Sequence, residues 1–171
     1  AIDLMEGDEL VWVRKKSGEN NLIVATKFGK AICFSENDVR PMGRNARGVR
    51  AIKMEDNDCV IGMARTHEGG TLLTVTETGL GRRSNLSDYR VQTRGGKGLI
   101  NYRTSLYGNV AAIRVVDEDD DIIMIASNGI VIRIPVSEVG IYSRPAKGVR
   151  VMRLDEDEGV KLVALTRAPH D

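Results

Sequence analysis

The chain has 171 residues, of which 42% are hydrophobic, 29% charged and 4% aromatic, and its formal net charge is +1. That composition excludes an intrinsically disordered chain, which combines low hydrophobicity with a large net charge. No apolar run approaches the ~20 residues of a membrane-spanning helix. Two cysteines, Cys33 and Cys59, are too few for a disulfide scaffold, and both sit in apolar runs, which predicts buried reduced thiols.

The elements recur with a period of 50. Gly29, Gly79 and Gly129 share that spacing, as do Gly48, Gly98 and Gly148, and Arg44, Arg94 and Arg144. Residues 1–21 align with the end of a unit, Asp8-Glu9-Leu10-Val11 against Asp58-Cys59-Val60-Ile61, and three units follow at 22–71, 72–121 and 122–171. The whole of 1–171 therefore reads as a single repeat domain that opens on the tail of a preceding unit, a piece of a longer protein.

Within each unit the pattern is strand, turn, strand, long loop, strand, turn, strand. First strands are predicted at Leu22–Thr26, Leu72–Thr76 and Ile122–Ala126, and second strands at Ala31–Phe34, Leu80–Arg83 and Ile130–Ile134. The turns between them contain Gly, and Asn128-Gly129 is the dipeptide of a type I′ hairpin, in which both central residues take φ > 0. Third strands start at Gly48-Val49-Arg50, Gly98-Leu99-Ile100 and Gly148-Val149-Arg150. Fourth strands follow at Cys59–Ala64, Val110–Val115 and Val160–Leu165. Four strands per unit without a sustained helical period predict an all-β, propeller-like array of four-stranded blades. One blade alone would leave sheet edges and half a core exposed, so neighbours must pack on it.

The charges follow the same period. Segments 40–50, 90–100 and 140–150 hold ten of the 25 Lys and Arg and no acid. Residues 3–9, 55–58, 117–121 and 155–158 hold 16 of the 24 acids, almost all at the turn before a fourth strand. A net charge of +1 thus conceals a basic rim and separate acidic turns. Arg40, Arg44, Arg47, Arg50, Arg90, Arg94, Lys97, Arg144, Lys147 and Arg150 form the candidate rim, and Arg82 and Arg83 on the second strand are added to it. Arg supplies forked donors to phosphate and Lys a point charge. Duplex DNA, with one charge every ~1.7 Å, suits such a track. Few aromatics are available for stacking on single strands: Trp12, Tyr89, Tyr102, Tyr107 and Tyr142 beside Phe28 and Phe34. No recognition helix is present for the major groove, so backbone contact and bending are expected.

Residues 92–98 read Gln92-Thr93-Arg94-Gly95-Gly96-Lys97-Gly98. This closely resembles the QRRGGKG box in the C-terminal domain of the DNA gyrase A protein, and Val39-Arg40-Pro41-Met42-Gly43-Arg44 with Gly48-Val49-Arg50 looks like a further blade of that family. The resemblance covers the whole chain. It implies a β-pinwheel, in which neighbouring blades exchange strands, and a function in wrapping duplex DNA for negative supercoiling by the ATP-dependent enzyme. All seven box residues are then candidate DNA contacts. The implied partners are the rest of the gyrase A protein and the gyrase B protein, in a bacterial cytoplasm, at the nucleoid. Two departures stand out: Thr93 replaces an Arg, and the box lies in the middle unit instead of a first blade. The corresponding protein of topoisomerase IV has a similar, box-poor domain and is the near alternative; a protein-interaction propeller that does not bind DNA is the other.

No catalytic constellation is evident. His67 and His170 have no nucleophile at useful spacing, and there is no phosphate-cradling run for ATP. The family's strand-cleaving tyrosine belongs to another part of the gyrase A protein. The 117–121 acidic run lacks the alternating ligands of a calcium loop and reads as a solvated turn. No cofactor, metal, membrane or small-molecule substrate is expected for this segment, which is read as the non-catalytic DNA-binding part of an enzyme.

Overall fold

The structure, a computed structural model, describes residues 9–10, 21–35, 49–50, 52, 54–66, 69–92, 95–96, 98–144 and 146–169. Strands β1 (Glu9–Leu10), β2 (Asn21–Thr26), β3 (Lys30–Ser35), β4 (Val49–Arg50) and β5 (Val60–Arg65) lead into β6 (Thr71–Thr76), β7 (Leu80–Asn85) and β8 (Leu99–Ile100). After the one-turn helix α1 (Thr104–Tyr107) come β9 (Val110–Val116), β10 (Asp120–Ala126), β11 (Val131–Pro135), β12 (Val149–Arg150) and β13 (Leu162–Pro169). First and second strands fall in all three units within a residue or two of where the sequence predicts them, as do the fourth strands of the first two units; the fourth strand of the third unit is displaced, to Leu162–Pro169.

The third strands leave home. β8, from the second unit, pairs with β3 of the first, and the sheet runs β5-β2-β3-β8. β12, from the third unit, pairs with β7 of the second in a sheet ordered β12-β7-β6-β9. The third unit contributes β11-β10-β13, and β4 pairs with β1. Strand exchange, which the resemblance implies, is thus how successive blades are tied together.

Both faces of β2 and β6 are covered, which is why these strands are buried along nearly their whole length and not on alternate residues. Leu22 and Val24 pack with Ile32, Phe34 and Ile52, whereas Ile23 and Ala25 pack across the blade boundary with Leu72, Ile113 and Val115. A second boundary cluster joins Leu73 and Val75 to Ile122, Met124 and Leu162. Truncating any of these fully buried Leu or Ile side chains to Ala would cost about 2–5 kcal/mol. Fourth strands stand side by side: β5 packs on β9, and β9 on β13. In the two sheets that hold one, the exchanged strand, β8 or β12, therefore lies at the edge opposite the fourth strand, where its basic loop ends.

Three expectations are corrected. The first turns are not type I′: among the described residues, Asn57 is the one non-glycine with positive φ, so Asn128 does not qualify. Gly129 has φ +90° and its amide donates to the Ala126 carbonyl at 3.0 Å, as Gly29 and Gly79 do to Thr26 and Thr76. That is a tight turn closed by a left-handed glycine, the three-residue hairpin loop. The period also slips. Leu22 pairs with Arg65 and Leu72 with Val115, but Ile122 pairs with Arg167, two residues beyond the regular offset. A one-turn helix at Glu156–Glu158 lies in the turn before β13. Lastly, Cys33 is buried, but Cys59 is exposed, because it lies in the turn before β5 and not on the strand.

Candidate nucleic-acid interface

The basic loops of the second and third units are seated on the preceding blade before their exchanged strands begin. The Gln92 amide donates to the Cys33 carbonyl at 2.7 Å, and its repeat equivalent Tyr142 donates to the Arg83 carbonyl at 2.8 Å. The Gln92 Nε2 atom is buried without a partner among the described residues. Gly98, with φ +75°, closes the second loop so tightly that a Cβ would lie 2.5 Å from the Ala31 carbonyl oxygen. Gly148, with φ +78°, has the same relation to the Gly81 carbonyl at 2.2 Å. These box-type glycines permit strand exchange first of all, since no Cβ fits there.

The candidate cations divide into groups. Arg90, Lys147 and Arg150 are exposed, and Arg150 Nη1 donates to the Thr78 carbonyl at 3.0 Å. Arg144 is half-buried: its guanidinium donates to the carbonyls of Asp88 at 3.2 Å and Ile100 at 2.8 Å and lies 5.9 Å from the centre of the Tyr89 ring. Gly95 and Gly96 are half-buried in the loop. Thr93, Arg94, Lys97, Arg40, Arg44 and Arg47 lie outside the described residues, as does the side chain of the first-unit Arg50.

Arg82 and Arg83 are corrected: neither faces solvent. Arg82 is 0% exposed and Arg83 3%. Arg82 Nε donates to the Ala146 carbonyl at 3.0 Å, and its terminal nitrogens donate to Ser84 Oγ and to the Asn101 carbonyl. Arg83 Nε donates to the Val139 carbonyl at 2.6 Å and Nη1 pairs with Glu118 at 2.7 Å. Donors so engaged cannot reach a phosphate. A sequence signal for this existed: neighbours on a strand point to opposite faces, and both faces of this sheet are covered.

Around Arg82 is a polar cluster that sequence reasoning missed. Its guanidinium lies 4.6 Å from the centre of the Tyr102 ring; Tyr102 in turn meets Tyr107 edge-on at 6.0 Å and donates its hydroxyl to the Lys147 carbonyl. Tyr89 donates to Asn101 Oδ1 at 2.5 Å, and Asn101 Nδ2 to Thr74 Oγ1 at 3.1 Å. Burial pushes the Tyr102 phenol up to about 12 and raises that of Tyr89, in both cases against the opposing pull of Arg82. Tyr89 and Tyr102 are thus internal, whereas Tyr142 is exposed in the third unit's loop.

The 117–121 turn is also corrected, since it is paired and not merely solvated. Asp120 and Asp121 are buried; Asp120 meets Arg167 Nε at 2.6 Å and Asp121 meets Arg133 Nε at 2.8 Å. Asp117 adds a contact to Arg167 at 3.3 Å. Among the described residues no group of His, Cys, Asp or Glu is arranged to hold a metal, and no helix is long and apolar enough to cross a membrane.

Comparison with known proteins adds the family. Residues 20–67, 70–117 and 120–168 each match the model of the DNA gyrase C-terminal domain, beta-propeller. The DNA gyrase A protein of Staphylococcus aureus strain MRSA252 is 37% identical over the full chain, and that of strain NCTC 8325 is 38% identical over 96% of it. The chain spans about a fifth of the length of these relatives, 20% and 19%. A solved DNA gyrase A C-terminal domain aligns over 88% of this chain and 51% of its own, with a TM-score of 0.78 and 28% identity. A solved C-terminal domain of DNA topoisomerase IV aligns over 89% of this chain and 47% of its own, with a TM-score of 0.80 at 22% identity, a likeness of fold.

Proposed function

Because this chain belongs to the DNA gyrase C-terminal domain family, we propose that it binds duplex DNA through the phosphate backbone and bends it around a rim of basic loops, in support of negative supercoiling by the full ATP-dependent type II topoisomerase. In that setting its partners are DNA, the rest of the gyrase A protein and the gyrase B protein, in a bacterial cytoplasm at the nucleoid. The chain itself has no catalytic step to perform and takes no cofactor. The candidate contacts are Gln92, Thr93, Arg94, Gly95, Gly96, Lys97 and Gly98 of the box, Arg90, and Arg40, Arg44, Arg47, Arg50, Arg144, Lys147 and Arg150 of the loops in register.

One observation carries the reading. The acid-free loops of the second and third units enter their exchanged strands at the same edge of consecutive sheets, away from the packed fourth strands. Repeated cations along one edge favour a long polyanion, which they engage by charge and spacing with no need of base readout. The seven-residue box in register with these loops favours a gyrase over a topoisomerase IV origin.

The test is ligation of nicked circular DNA saturated with the chain. A shift in linking number after removal of protein is expected, and its sign reports the hand of the wrap. Binding should weaken by ~10³–10⁵ between 50 and 200 mM salt if 6–10 phosphates are engaged. Charge reversal at Arg94 and Lys97 should weaken it most. Failure to retain duplex DNA at low salt, together with salt-insensitive binding to a protein, would overturn the proposal in favour of an interaction propeller.

A further inference from the structure

The guanidinium of Arg82 is fully buried, and among the described residues it meets no carboxylate. Burying a charge without a counter-ion is costly unless hydrogen bonds replace the lost water. Here they come from the Ala146 carbonyl at 3.0 Å, from Ser84 Oγ and from the Asn101 carbonyl, with Asn101 Oδ1 at 3.4 Å. Two of these ligands belong to its own unit; Ala146 belongs to the basic loop of the next. A planar fork of fixed donors can hold all of them at once, which an ammonium on a flexible stem cannot.

The same loop is drawn inward at two further points. Ser84 Oγ donates to the Tyr142 carbonyl at 2.8 Å, and the Tyr102 hydroxyl donates to the Lys147 carbonyl. Gly148 seats the loop directly over the strand, where a Cβ would lie 2.7 Å from that of Arg82. A trans peptide is planar, with its N–H opposite its C=O. Turning the carbonyls of Tyr142, Ala146 and Lys147 toward the buried cluster therefore turns the amides of Ser143, Lys147 and Gly148 away from it. Ser143 and Lys147 are exposed, and their amides have no acceptor among the described residues. Backbone N–H groups gathered in a loop make an anion-binding concavity.

We propose that Arg82 is a positioning residue: with Tyr102 it holds the third unit's loop so that the amides of Ser143, Lys147 and Gly148 and the Lys147 ammonium converge on one phosphate of the DNA backbone. This rests on the DNA-binding reading above and names an atomic site within it. Arg82 never touches the DNA. It acts through the carbonyls it pulls inward.

The test is duplex-DNA affinity across a salt series for the wild-type chain, Lys147→Ala, Arg82→Met, Arg82→Lys, Tyr102→Phe and the Arg82→Met/Lys147→Ala pair. Measurements are made well below each variant's unfolding midpoint. Lys147→Ala should reduce the salt slope by about 0.9, one phosphate's worth. Arg82→Met and Arg82→Lys should reduce it by at least as much, although the first removes no surface cation and the second keeps the buried charge. Lys147→Ala should then add nothing in the Arg82→Met background, a non-additivity that mere loss of stability does not produce. Tyr102→Phe deletes one hydroxyl and carries the test should the Arg82 variants not fold. A wild-type slope in folded Arg82→Met and Tyr102→Phe, or additive effects in the double variant, overturns the positioning role while leaving DNA binding intact. Absence of salt-dependent binding by the wild type overturns the DNA reading itself.

Discussion

Arg144 Nη1 donates to the carbonyl of Ile100 at 2.8 Å, so the basic loop of the third unit grips the end of a strand that the second unit has lent to the first. One side chain thereby joins three units. Its second bond, from Nε to the Asp88 carbonyl at 3.2 Å, anchors it to the one-turn helix after β7. A cation of a loop proposed to contact DNA is in this case also part of the joinery between blades.

Arg144→Ala should consequently lower stability as well as DNA affinity. Two charge-assisted bonds on a half-exposed side chain support an expected loss of about 1–2 kcal/mol, a fall of roughly 2–8 °C in the unfolding midpoint for a chain of this size. Lys147→Ala, lacking such side-chain bonds, should leave the midpoint within about a degree while weakening DNA binding. Paired thermal melts of the two variants decide it. Equal midpoints would show that the Arg144 bonds carry no stability.

Much of this architecture is legible in the sequence because its determinants are local. Turn glycines and apolar runs mark the first, second and fourth strands wherever the chain goes next. The partner of a third strand is not local: Gly98-Leu99-Ile100 carries the same pattern whether it pairs within its own unit or with β3, and only the family resemblance points to exchange. Arg82 and Arg83 mislead for a related reason. A basic dipeptide beside a basic loop suggests surface, whereas its strand is buried on both faces and acceptors from its own unit and from the next surround it. The acidic run at 117–121 misleads in the opposite sense, since its arginine partners, Arg133 and Arg167, are remote in sequence.

Strand exchange makes a second prediction that separates two glycines of similar backbone geometry. Gly98 has φ +75° and Gly129 has φ +90°, but a Cβ at Gly98 would lie 2.5 Å from the Ala31 carbonyl oxygen, whereas at Gly129 nothing lies within 4 Å. Both substitutions by Ala incur the left-handed backbone penalty of about 1 kcal/mol. Only Gly98→Ala also has to push β8 off β3, so it should lose a further 1–3 kcal/mol or so. Urea midpoints of the two variants measure the difference. Indistinguishable midpoints would mean that the exchanged strand yields at little cost.

The acidic turn supplies a third. Asp120 Oδ2 accepts from Arg167 Nε at 2.6 Å and from the Asp117 amide at 2.9 Å, fixing both β10 and β13 at one end of the last sheet. Asp120→Ala removes the buried acceptor and leaves Arg167, only a quarter exposed, short of one partner. A loss of about 2–3 kcal/mol is expected, less than for a fully buried pair because water reaches the guanidinium. Denaturant unfolding monitors the total. Amide exchange should quicken first in β13, and uniform acceleration across all three sheets would argue against a local anchor.

The fourth prediction concerns alkaline pH. Burial pushes the Cys33 thiol up to about 11 from 9.0, and Tyr102 to about 12 from 10.0. In both groups the folded state holds its proton more tightly than the unfolded chain does. The unfolded state therefore ionises first as pH rises, and stability present below pH 9 is lost through the window up to about 11 for the thiol and from 10 to about 12 for the phenol. Each group contributes a slope near 1.4 kcal/mol per pH unit within its window, so the thiol alone should remove about 2–3 kcal/mol by pH 11. Cys33→Ala should flatten the first part of this fall while lowering stability at pH 8 through the cavity it leaves. Cys59, exposed, should be alkylated in the native state under conditions that leave Cys33 unmodified. Urea midpoints of the wild type and Cys33→Ala between pH 8 and 11 give the comparison. Parallel curves for the two proteins would show that ionisation of the Cys33 thiol does not drive the alkaline loss.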